Sequence, residues 1–305
     1  MKERYFWIAI ILTVIIWTGN YTYLQSKQLT EPIFLKHYYE VPLEERMPLE
    51  FFYVTNKNDP GVVNGITVNG IHFYSSQDGF MFQQEGPVYK KEYIHHQLRS
   101  FTIDMPKELL PIESDEQWLF TYFKPSFNNG IDFDHEVDIG YVNIRGERQR
   151  KPPLKFQMSG SGSDHRSLHQ LSATERLKIK EIDIPMLNKY PGLVEVKVND
   201  GQGKLTVPEK HDPDINTRDL RSNWNKVPGI SLRDIELPIE IEKGDWISFH
   251  TKIDENNTMY LKFNIWIRGE STDGEDFEIP LQVWDEPYLE QKDINELIKQ
   301  RGGEE

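Results

Sequence analysis

Four acidic residues, Asp132, Asp134, Glu136 and Asp138, recur at every second position between Ile131 and Ile139. On an extended strand alternate side chains share a face, so these carboxylates would stand in a row about 6.6–6.8 Å apart. Calcium, a hard cation, takes clustered oxygen ligands of this type. A flat strand cannot wrap an ion unaided, and the row lacks the sixth-position glycine of an EF-hand loop. The competing reading is the wet face of a half-buried strand. No other cofactor is expected, since no Walker loop or dinucleotide fingerprint is present. The chain has no Cys, which excludes disulfides, thiolate metal sites and thiol nucleophiles. Ser159 to Ser163 lacks the order of a hydrolase elbow, and His165 and His169 follow it as loop residues. No catalytic residue is assigned.

The second constellation is aromatic. Phe277, Ile279, Leu281 and Val283 recur at every second position, and Leu261, Phe263, Ile265 and Ile267 do the same. If both apolar faces look into one core, a two-residue turn at Asp273-Gly274 fails on parity. A three-residue loop, Thr272 to Gly274, sets Ile265 opposite Leu281 and gives Gly274 the left-handed position of a bulged hairpin. A five-residue loop from Asp254 to Thr258 would likewise pair Ile247 with Ile265 and complete a three-stranded meander. The far face then carries Trp246, His250, Lys262, Trp266 and Trp284, with Trp246 and Trp266 as direct cross-strand neighbours and Trp284 opposite Lys262. Exposed indoles on a sheet stack on the apolar faces of sugars. Trp246, Trp266, Trp284 and His250 on this face are therefore the candidate ligand residues, and Lys243-Gly244-Asp245-Trp246-Ile247-Ser248-Phe249 resembles, over seven residues, the strand entry of jelly-roll carbohydrate-binding modules. The competing reading is that these rings pack beneath the closing helix or the other β region.

These groups need a scaffold, and the rest of the chain reads as one. Lys2 and Arg4 precede an apolar run, and Tyr5 to Leu24 is long enough, at about 1.5 Å per residue, to cross a hydrocarbon core of about 30 Å. Trp7, Trp17, Tyr21 and Tyr23 lie towards its ends, as interfacial aromatic rings do. The flanking cations place the N-terminus in the cytoplasm, and Thr18-Gly19-Asn20-Tyr21 is a poor cleavage site, so an uncleaved anchor is expected.

Beyond it, period-2 alternation and frequent turn residues predict a mainly β fold: an N-terminal transmembrane helix, one or two antiparallel β-sandwich domains and a short C-terminal helix. The expected division is a cytoplasmic tip (1–4), an anchor (5–24), a stalk (25–44), a β-rich domain (45–150), a Gly/Ser linker or long loop (151–171), a second β-sandwich (172–286) and a closing helix with tail (287–305). Asp and Glu outnumber Lys and Arg by 49 to 35, a formal charge of −14, which opposes nucleic acid as a partner. A Cys-free exported chain fits a Gram-positive cell surface. The expected partners are the membrane and either another envelope protein or cell-wall glycan. The expected role is non-enzymatic binding or scaffolding, with a glycan-binding module or glycan hydrolase as the alternative.

Overall fold

The computed structural model describes residues 2–75, 89–112, 116–130, 133–146, 152–200 and 223–301. In chain order these form α1 (Lys2–Gln25), β1 (Ile33–Phe34), β2 (His37–Pro42), β3 (Arg46–Asn56), β4 (Val63–Val68), β5 (Ile71–Tyr74), β6 (Tyr89–Glu92), β7 (His96–Pro106), β8 (Gln117–Phe127) and β9 (Val137–Arg145). They continue as β10 (Leu154–Gly162), β11 (Arg166–Ala173), β12 (Leu177–Asp183), α2 (Pro185–Lys189), β13 (Val194–Asn199), β14 (Ile230–Ser231), β15 (Ile239–Ile241), β16 (Trp246–Ile253), β17 (Tyr260–Ser271), β18 (Asp276–Asp285) and α3 (Gln291–Arg301). Strands make up 51% and helices 19%, so the protein is mainly β, as the alternation predicts.

Among the described residues three sheets build two cores. A nine-stranded sheet runs β15-β12-β17-β2-β9-β8-β4-β5, with β18 on the other side of β17. A four-stranded sheet, β1-β3-β7-β6, shares an aromatic core with its β2-to-β5 limb, where Phe34 lies within 5.2–6.5 Å of Tyr53, Phe101, Phe123, Phe127 and Phe133. A five-stranded sheet, β10-β11-β16-β13-β14, covers the β15-to-β18 limb over an aliphatic core that includes Val194, Val196, Val198, Ile247, Phe263 and Ile265.

Strand β2 joins the two limbs. It pairs in parallel with β17 on one side and β9 on the other, while the other strand pairs among the described residues are antiparallel. Its period of two sends Tyr39 and Val41 into the first core and Tyr38 into the second. Gly140 makes the β2–β9 contact feasible. It sits at φ +97°, and a Cβ there would fall far inside van der Waals contact of the His37 carbonyl oxygen.

Several expectations need correction. Residues 25–44 are not a stalk. They hold β1 and β2, and most side chains from Pro32 to Val41 are buried. Residues 151–171 are not a linker but contain β10 and most of β11, a hairpin pairing Gly162 with Arg166. The meander fails at its first turn. The β17–β18 register is as predicted, with Ile265 opposite Leu281, Lys262 opposite Trp284 and Gly274 at φ +77°. Strand β16, however, pairs with β11 and β13 in the other sheet. Residues 254–258 arch across the sandwich, braced by Asn257, whose side chain bonds the backbone N and O of Met259 at 3.0 and 2.7 Å. Parity could not separate these outcomes, because two strands sharing one core satisfy it equally as edge neighbours or face to face.

Replacing Gly140 with Ala tests the seam. The positive φ and the blocked β2 backbone together should cost about 2–4 kcal/mol, read as a lowered urea midpoint. An unchanged midpoint would show that β2 does not need this close approach.

Candidate ligand site

The expected aromatic platform is dispersed. Trp246 is half-buried on β16 opposite Ser172. His250, on the same strand, is buried beside Lys197 of β13. Trp266 is in the nine-stranded sheet, 3% exposed, with the Arg145 guanidinium 4.5 Å above its ring. Trp246 and Trp266 are therefore not cross-strand neighbours. Trp284, on β18, is 58% exposed.

The carboxylate row is also not a strand face. Asp132 lies outside the described residues. Asp134 and Glu136 lie in an exposed bend before β9 begins at Val137, and Asp138 forms an ion pair with Lys36 at 2.5 Å. Among the described residues no group of three His, Asp or Glu side chains is placed to hold a metal.

Two concavities contain two of the dispersed tryptophans, Trp266 and Trp284. The first, about 140 Å³, lies over the seam and is lined by Glu40, Gln117, Tyr141, Asn143, Arg145 and Trp266. Glu40 is buried there, with Oε1 accepting from the Tyr38 hydroxyl at 2.7 Å and Oε2 from the Asn264 amide at 3.1 Å. Burial raises its pKa, against the pull of those two bonds. The indole face there is already taken by the Arg145 guanidinium.

The second is a cleft of about 370 Å³ lined by Ser161, Ser163, His165, Arg166, Trp284 and Glu286. It is built where the β10–β11 hairpin meets the end of β18. The hairpin turns through His165 at φ +59°, a left-handed conformation in which His is over-represented. The His165 carbonyl accepts from the Ile253 amide at 2.9 Å, which fixes the turn to the end of β16. Its Nδ1 lies 2.9 and 3.0 Å from the two carboxylate oxygens of Asp285, a tie between the two sheets of the second sandwich. Desolvation raises the Asp285 pKa, while the His165 contact pulls it down.

An exposed indole next to two carboxylates and two hydroxyls offers a flat apolar surface bordered by acceptors and donors, which is the chemistry of a polar, ring-containing ligand. Of the expected ligand residues only Trp284 belongs to this cleft. His165, Asp285 and Glu286 were not assigned from the sequence, because the contact joins positions 120 residues apart and leaves no local signature. No known family model matches the chain, and no curated protein matches it in sequence. The fold defines a class nonetheless: a mainly β protein preceded by an apolar helix long enough to cross a membrane.

His250 yields a pH test. Burial, helped by the charge of Lys197, lowers its pKa from 6.5 to about 4. The unfolded chain therefore takes up the proton first. The stability conferred by the neutral ring is complete above pH 6.5 and declines as pH falls towards 4, at about 1.4 kcal/mol per pH unit. Glu40 and Asp285, both raised, act in the opposite sense, but they are common to wild type and variant. The His250→Gln protein should show a shallower loss of stability across that window by about this slope. Parallel pH profiles would contradict it.

Proposed function

We propose that the protein is a single-pass membrane protein whose β-sandwich pair lies outside the cytoplasm, in an envelope of the Gram-positive type, with a non-enzymatic binding or scaffolding role. The junction between helix and sandwich carries this reading. Glu3 to Gln25 is long and apolar enough to cross a membrane, and no part of its most apolar window is buried against the protein. Only seven residues separate α1 from β1. Those residues are bonded to the sandwich: the Asn56 side chain meets the backbone N and O of Leu29 at 2.8 Å each, and His96 Nε2 meets the Lys27 carbonyl at 2.9 Å. Such a module is presented at a fixed height over the bilayer, as suits a docking component. Lys2 and Arg4, ahead of the apolar run of α1, support a cytoplasmic N-terminus.

The second reading, a glycan-binding module or glycan hydrolase, is favoured by the exposed Trp284 ring beside Asp285 and Glu286. Calcium at Asp132, Asp134, Glu136 and Asp138 stays a proposal for which titration calorimetry is the direct measure.

Two measurements separate these readings. Protease added to intact cells should degrade the 45–305 region, and full protection of it would refute the orientation. Trp284→Ala should change stability by less than about 0.5 kcal/mol, since the ring is exposed. If the cleft takes glycan, this variant loses binding to purified wall fragments. If the protein is a scaffold, wild type captures another membrane protein and leaves the wall fragments unbound.

A further inference from the structure

Strands β6 and β7 are joined through Tyr93, Ile94 and His95, closed by the Tyr93 amide donating to the His96 carbonyl at 2.9 Å. Its outermost residues are Ile94 and His95. Turn tips favour Gly, Asn, Asp, Ser and Pro, so a β-branched apolar residue there is unusual, and Ile94 is 68% exposed. The tip is held against the exit of α1. The His95 ring meets the Tyr23 ring edge to face at 5.9 Å, and His96 bonds the Lys27 carbonyl. It is fixed from two further directions: the His95 carbonyl accepts from the Lys57 amide at 2.9 Å, and the Ile94 amide donates to Gln291 Oε1 at 3.0 Å.

Tyr23 and Leu24 end the apolar run of α1, at the depth where a tyrosine ring sits among headgroups. A residue clamped beside Tyr23 shares that depth. We propose that the Ile94–His95 tip is a second membrane contact, with Ile94 seated in the interfacial zone of the leaflet that receives the C-terminal end of α1. This rests on the membrane-anchor reading above. The contact proposed is apolar, carried by the exposed Ile94 side chain. Together with the bonded junction, it would prevent the sandwich from tilting about the anchor.

The Cys-free chain allows single-site labelling of the full-length protein in phosphatidylcholine vesicles. Ile94→Cys, Leu12→Cys in α1 and Leu109→Cys would each carry an environment-sensitive fluorophore. Leu109 follows β7, whose eleven residues span about 35 Å from the membrane end. Lipid-borne quenchers placed near the headgroups should quench the Ile94 label several-fold more than the Leu109 label, and aqueous iodide should show the reverse order. Quenching of the Leu12 label by deep lipid-borne quenchers reports the anchor separately. If the Leu12 label is quenched and the Ile94 label responds to iodide as Leu109 does, the tip proposal alone is overturned. An Ile94 label shielded from both quenchers also overturns it, in favour of a protein neighbour. If the Leu12 label escapes lipid quenchers, the anchor reading itself fails.

Discussion

Strand β2 has to satisfy two cores at once. Tyr38 points into the aliphatic core and Tyr39 and Val41 into the aromatic one, so neither sandwich closes unless the strand lies between β17 and β9. The polar groups brought along are matched one by one. His37 bonds the Phe52 amide through Nε2 at 3.2 Å and the Ile139 carbonyl through Nδ1 at 3.3 Å, an arrangement that requires the neutral ring. Burial accordingly lowers its pKa to about 3. Glu40 is held by Tyr38 and Asn264. A buried polar group left without its partner costs about 1–3 kcal/mol, so these pairings lock the register of β2 against its neighbours.

The same strand follows closely on the apolar helix, so α1 is tied near to both cores. Twelve residues lead from the start of the junction at Ser26 to His37, and the first seven are tied to Asn56 and His96. The apolar helix, the seam and the β6–β7 tip thus form one connected piece. The Trp284 cleft depends on a different tie, the His165–Asp285 contact across the second sandwich. The ion pairs at the exposed surface, such as Lys57–Glu92 and Arg176–Glu240, add little by comparison, since solvent screens them.

Much of this was legible where a local pattern meets a local constraint. The alternation in β17 and β18, together with Gly274, specified both the turn and the pairing. The apolar helix and the closing helix α3 announced themselves by length and period. The seam strand was invisible for the opposite reason. His37, Glu40 and Pro42 look like a polar stalk, and the burial of His37 and Glu40 depends on partners such as Phe52 and Asn264, fifteen and 224 residues away. Strand β10 was hidden by its Ser-Gly-Ser-Gly stretch, which reads as linker although it pairs along β11. The fate of β16 turned on sheet choice, which parity does not encode, and the tryptophan platform was lost with it. The cleft residues His165 and Asp285 carry no signal apart, since only the fold brings them together.

The central claim is that β2 makes the two sandwiches a single cooperative unit. It is tested most directly by urea unfolding of the full chain in micelles with one fluorophore per half, at Tyr122→Cys on β8 and, in a separate protein, at Phe156→Cys on β10. Both sites are exposed, so the labels perturb neither core. Coincident transitions with the same midpoint and steepness are the expected result. Two separated transitions, one for each label, would contradict it.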